Sequence, residues 1–202
     1  MITTQVSNQN QVIALLKQLA SEKAFSQDTN DRLIENKKMR VYPHTLYFKK
    51  DVSGLGGDKK MLDTQTKKLS GISSINEDRL PKNEVQVISS LGIGYVKTVL
   101  AEMGKAKFGA AFIGEIENAV LKISQNSKTL LYRPVSDFTY AGTETNPSEK
   151  VIHLDYPLVL ADDQSIDWRL EFADGFGVPQ AVDANNHHLL QFKGYGFVTE
   201  LA

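Results

Sequence analysis

The sequence predicts an all-β fold, an antiparallel sandwich of two sheets preceded by an amphipathic helix and an extended arm. Three observations predict it. Beyond Pro81 the apolar residues recur with a period of two, clusters of turn-forming residues separate these runs, and no amphipathic helix strong enough for a crossover stands between them. A chain of 202 residues with 41% hydrophobic and 23% charged side chains has the composition of a globular protein with a real core. The expected organisation is residues 1–80 as helix, connector and extended assembly arm, and residues 81–202 as the sandwich domain.

The helix opens on the cap residues Ser7 and Asn8. Val12, Leu16, Leu19 and Lys23 then follow at helical spacing, with Ile13 and Ala20 beside the stripe. "SQDTNDRLIENKKMR" is polar and charged and reads as a connector. "VYPHTLYFKK" is a short extended piece in which Leu46 and Phe48 share one face and Tyr47 takes the other. From there to Pro81 the chain is rich in glycine, lysine, serine and threonine, the character of a binding loop or of a segment ordered by partners. Within it "SGLGGDKK", residues 53–60, resembles a phosphate loop only in composition. Asp58, Lys59, Lys60 and Met61 follow its glycines, so no hydroxyl stands after the lysines to reach a metal, and the spacing fits a flexible or inter-subunit loop.

In the sandwich, Val85, Val87, Leu91, Ile93 and Tyr95 fall on one face of the first long run. Ala119, Leu121 and Ile123 group together in "ENAVLKIS", and Ile152, Leu154, Tyr156, Leu158 and Leu160 alternate in "VIHLDYPLVL". "IDWRLEF" sets Ile166, Trp168, Leu170 and Phe172 against Asp167, Arg169 and Glu171. Alternation of this kind means one buried and one wet face, and places Ile152, Leu154, Leu158, Trp168, Leu170 and Phe172 in one core. "LLQFKGYGFVTEL" closes the chain as a strand whose Gly194 and Gly196 mark a bend or a close backbone approach. "SQNSK", "TETNPSE", "ADDQS" and "ADGFGVPQAVDANNHH" are turn signals, and "VKTVLAEMGKAKFGAAF" holds a helical turn or a long loop.

The net charge of -1 hides an uneven distribution: residues 1–36 sum to -1, 37–69 to +6 and 70–202 to -6. A basic stretch before an acidic body can meet an outside polyanion or a neighbouring copy. The chain has no cysteine, which excludes disulfides, cysteine-zinc sites and thiol catalysis. No basic start followed by an apolar run opens it, and no 18 apolar residues stand in line, the pattern expected of a soluble protein with nothing directing export.

The residues point to no catalytic, cofactor or metal site, and the chain reads as a non-enzyme. His187 and His188 are adjacent, so in a strand they face opposite ways. His153 falls on the wet face, and these with His44 read as surface and turn histidines. Glu115 and Glu117 share a face, as do Asp167 and Glu171 with Arg169 between them, the pattern of a solvated sheet face with cross-strand charge pairs. No G-x-S-x-G elbow supports a Ser-His-Asp triad. Aromatics concentrate in the last third. Trp168 is in register with core positions, while Phe176 in "FADGFGVP" is placed to stand at a loop tip.

"ISSINEDRLPKNEVQVISSLGIGYV", "AVLKISQNSKTLLYRPVSDF", "VIHLDYPLVLADDQSIDWRLEF" and "HHLLQFKGYGFVTEL", together spanning about residues 72–202, resemble in order and texture a viral jelly-roll coat protein. The resemblance is to the major capsid proteins of tailless icosahedral bacteriophages, including membrane-containing ones. Many of those carry two jelly rolls, while this chain has room for one. It implies a self-assembling subunit of an icosahedral shell, located in the virion and made in the host cytoplasm. The implied partners are further copies of itself, with other capsid proteins, an internal membrane or the packaged genome as additional ones. On this reading Val12, Leu16, Leu19, Tyr47, Phe48, Lys59 and Lys60 are the subunit-interface candidates, and removal of residues 1–36 would leave a folded sandwich. The alternative is a carbohydrate- or receptor-binding jelly-roll module, a virion spike or adhesin domain, using loop aromatics and carboxylates with calcium at a loop such as "ADD".

Overall fold

The computed structural model describes residues 8–35, 39–138, 151–183 and 185–201. The turn signal "TETNPSE" lies outside them, as does Tyr140. Two helices come first, α1 (Gln9–Ser21) and α2 (Gln27–Ile34). The strands are β1 (Met39–Asp51), β2 (Asp58–Lys60), β3 (Gln86–Thr98), β4 (Val120–Gln125), β5 (Lys128–Pro134), β6 (Val151–Leu160), β7 (Ile166–Glu171) and β8 (His187–Leu201). They form two four-stranded sheets, ordered β1-β8-β3-β6 and β2-β7-β4-β5.

Every strand pair is antiparallel, and the pairs nest: β4 with β5, β3 with β6, β2 with β7, β1 with β8. This is one long hairpin, its first four strands laid against its last four, rolled until β3 also meets β8 and β4 meets β7. Nested pairing of eight strands in two sheets is the jelly roll.

The sandwich begins earlier than the sequence pattern implied. β1 pairs with β8 along its whole length, from Met39↔Leu201 to Asp51↔Leu189, and β2 with β7, so residues 39–60 are strands of the sandwich rather than part of an arm. β1 is an edge strand, which lets it accommodate Pro43. The boundary expected at residue 80 therefore gives way to a single unit. Phe48, an expected interface residue, lies in the core. Its ring stacks on Phe192 at 4.9 Å and meets Trp168 edge-on at 5.3 Å, tying the two sheets together.

β7 follows its pattern: Ile166, Trp168 and Leu170 are buried, and Asp167, Arg169 and Glu171 alternate with them on the wetter side. β3 does not keep one register. An extra residue at Ser89, between the pairs Ile88↔Gly196 and Ser90↔Tyr195, switches the face. Leu91, Ile93 and Tyr95 point into the main core with Ile88, whereas Val85 and Val87 point outward into a second cluster under the helices. The bulge brings the backbones together: a Cβ on Gly196 would overlap the Val87 carbonyl oxygen, and one on Gly194 would sit 2.8 Å from the Ile88 side chain. β6 also breaks step, since Ile88 pairs with Leu158 but Ser90 with His153. Tyr156 lies in the surplus between them and is exposed, while Leu154, Leu158 and Leu160 are buried and Ile152 is half-buried.

The second cluster explains α1 and α2. Val12, Leu16 and Ala20 of α1 and Leu33 of α2 pack with Phe25 onto Val41, Val85, Val87 and Ala161. Asn8 caps α1 by accepting the Gln11 N–H at 3.0 Å. The expected connector is a helix because Ser26 caps it and because Thr29 and Asn30 are buried as hydrogen-bonding residues rather than as apolar ones. Asp162, fully buried in the turn after β6, accepts from the Ser26 N–H and hydroxyl, the Thr29 hydroxyl and the Asn83 N–H, and so pins α2 to the sandwich.

Candidate functional site

The seven interface candidates do not converge on one surface. Val12 and Leu16 are completely buried against their own sandwich, and Phe48 is in the core, so none of the three has area left for a neighbour. Leu19 packs beside the helical cluster. The Tyr47 hydroxyl accepts the Gly71 N–H at 3.2 Å. Lys59 is exposed, and Lys60 is ion-paired to Asp78 at 2.7 Å. The helical stripe is buried against the chain's own sandwich and not against a neighbouring subunit.

The glycine-rich loop is built into the fold. The Gly54 N–H donates to the Val178 and Pro179 carbonyls at 3.0 Å, and Gly56 bridges to Gly177, where a Cβ would lie 2.8 Å from the Leu55 carbonyl oxygen. It clamps the β1–β2 connection onto the β7–β8 connection, which replaces the expectation of a flexible or inter-subunit loop.

The histidines are dispersed over the described residues. His44 Nδ1 meets Gln86 at 2.9 Å, His153 Nδ1 meets the Ser90 hydroxyl at 2.8 Å, and His187 Nδ1 meets Asp51 at 2.7 Å. His188 departs from the surface reading: it is buried, with Nδ1 at 2.7 Å from the Tyr95 hydroxyl. Burial first, and Lys97 second, hold its pKa below the usual imidazole value.

Two of the concave surfaces among the described residues adjoin at the β4–β5 turn. The first is an apolar groove of about 530 Å³ between α1 and the adjoining edges of β5 and β6, lined by Leu15, Leu19, Leu130, Tyr156, Pro157 and Val159 among others. The second is a polar cavity of about 370 Å³ on the outer face of the second sheet, with Lys60, Ser165, Asp167 and Arg169 against residues 124–127.

That outer face is a charge lattice. Lys60, Arg169 and Lys122 stand directly opposite one another on β2, β7 and β4, an arrangement of like charges that would repel if left alone. Each has an acid. Lys60 meets Asp78 at 2.7 Å, Arg169 meets Asp167 at 2.7 Å and Asp58 at 2.9 Å, and Lys122 meets Glu171 at 3.0 Å. The pairing expected around Arg169 is present, and it extends to Asp58 and Asp78, whose distance in sequence hid them. Burial raises the Asp78 pKa, but the hydrogen bonds from Lys60 and Ser165 outweigh it and hold the carboxyl below the usual range.

The fold and these surfaces define a single jelly roll with helices over one sheet. No family model and no curated protein sequence matches the chain. Among solved structures it is similar to the infectious bursal disease virus VP2 subviral particle, at 14% identity and a TM-score of 0.20. The likeness covers 82% of this chain and 38% of that one, so the chain spans well under half the length of that protein.

Proposed function

We propose that the chain is a structural virion protein, a capsid subunit that assembles with copies of itself. The observation that carries the reading is the nested pairing of eight strands into two four-stranded sheets, an architecture shared by viral capsid and lectin domains. The sequence resemblance over residues 72–202 supports the capsid branch and is the ground for a shell of the tailless bacteriophage kind. Exposed apolar surface supports self-association. Tyr156 on β6 is 54% exposed, and the apolar groove it lines runs on to Leu15 and Leu19.

The test is the size of the full-length protein in solution. Purified chain in moderate salt, followed by sedimentation velocity and electron microscopy, should form large closed particles. A chain that stays monomeric at high concentration overturns the capsid reading.

A further inference from the structure

Outward-facing strands of a jelly roll are free to carry a site that assembly does not require, and the polar cavity of the second sheet has the chemistry of one. Its cations are held rather than free to swing. Arg169 is fixed by Nε to Asp167 and Nη1 to Asp58, at 2.7 and 2.9 Å. Lys60 is fixed at 2.7 Å by Asp78, whose side chain is 5% exposed and also accepts the Ser165 hydroxyl at 2.9 Å. The rim is equally set. Asn126 and Ser127 occupy left-handed turn conformations with φ of 51° and 61°, and the Asn126 amide donates to Gln164 at 2.7 Å. A site whose polar groups are already oriented loses little freedom on binding.

The cavity holds hydrogen-bonding capacity of both kinds. A guanidinium carries five N–H groups and an ammonium three, more than these carboxylates use. Asp167 Oδ1 is closed to solvent, so the reachable acceptor is Oδ2, which takes the Arg169 Nε–H and, as a carboxylate oxygen, has a lone pair left for a second hydrogen bond. A free anion fits poorly, because Asp167 lines the same space as the cations and the buried Asp78 behind it already offsets the charge of Lys60. A metal ion fits poorly for the converse reason. A hydroxyl group suits both, since one oxygen donates to a carboxylate while accepting from a cation. The volume of about 370 Å³ is that of a small-molecule site.

We infer that this cavity binds a neutral polyhydroxyl ligand, a saccharide unit, with Asp167 accepting from one ligand hydroxyl and Lys60 and Arg169 donating to its neighbours. The inference does not depend on assembly and is tested apart from it. The experiment records magic-angle-spinning amide spectra of isotopically labelled full-length protein, which assembled particles and free chains both yield, during titration with the methyl glycosides of glucose, galactose, mannose and N-acetylglucosamine, and separately with inorganic sulfate. At least one glycoside should shift the resonances of residues 124–127, Ser165 and Arg169 in a saturable way. Asp167→Asn should weaken that binding at least about tenfold, the loss expected for a hydrogen bond to a charged group. Ser124→Ala, a smaller change in the same wall, serves if Asp167→Asn fails to fold, and should weaken binding by about threefold or more. Absence of saturable glycoside shifts at these residues, sulfate shifting them more strongly than any glycoside, or unchanged affinity in a folded variant would each overturn the inference.

Discussion

The outer faces of the two sheets solve the same problem in opposite ways. The first sheet turns Val41, Val85 and Val87 outward, and two helices cover them with Val12, Leu16, Ala20 and Leu33. The second turns Lys60, Arg169 and Lys122 outward and leaves them in water, each with an acid beside it. Covering removes apolar area from water and stabilises in proportion to that area. Where water reaches both partners, as at Lys122–Glu171, a charge pair gains little, because solvent screens it and holding long side chains in place costs entropy. The first face is therefore committed to folding, while the second is free to vary and to carry a ligand site.

The sharpest way to break this comparison is to cut into the covered face. Leu16→Ala removes a completely buried side chain at the centre of the helical cluster, and should cost about 2–5 kcal/mol in urea-induced unfolding. Removing residues 1–36 exposes Val41, Val85, Val87 and Ala161 together, so the truncated chain should aggregate or unfold. That outcome reverses the one expected when the segment is read as a detachable arm. A truncated chain as stable as the full one would show that the helices are not part of the folding unit.

Acid should act on the same face. Burial raises the Asp162 pKa, but the hydrogen bonds from Ser26, Asn83 and Thr29 outweigh it and leave the carboxyl below its ordinary value. A carboxyl whose folded value lies below the unfolded one, about 3.9, contributes stability that is complete above the unfolded value. That contribution is lost as pH falls through the folded value. Thermal melts of wild type and Asp162→Asn should differ clearly at about pH 7 and begin to converge only as pH falls below about pH 4. A gap that persists unchanged into acid would mean that the aspartate charge is not what ties α2 to the sandwich.

How much of this was legible in the sequence depended on the same contrast. β7 was read in register because one of its faces is wet, so Trp168 and Arg169 alternate in chemistry as well as in direction. β3 was harder: Val85, Val87 and Ile88 are all buried, on two different faces, and nothing in the letters marks Ser89 as the surplus residue. α2 was hidden because its buried residues are Thr29, Asn30 and Leu33, two of them satisfied by hydrogen bonds that only the fold creates. The candidate site was legible only in part. Asp167, Arg169 and Glu171 stand on one strand, but Lys60, Asp78 and residues 124–127 join them through pairings far apart in the chain.

The smallest expected effect gives the other half of the comparison. Lys122 donates to Glu171 at 3.0 Å, with side chains 33% and 26% exposed, and that hydrogen bond holds the lysine pKa above its usual value. An ion pair this open to water is screened by salt and replaced by hydration when one partner is removed. Lys122→Ala should leave the melting temperature within error of wild type at physiological salt, under conditions where Leu16→Ala lowers it by several degrees. The same variant should keep whatever saccharide affinity the cavity shows, because Lys122 is not among the residues lining it. Were Lys122→Ala to destabilise as much as Leu16→Ala, the lattice would be a structural element on a par with the helical cover, and the second face would not be free to carry a site.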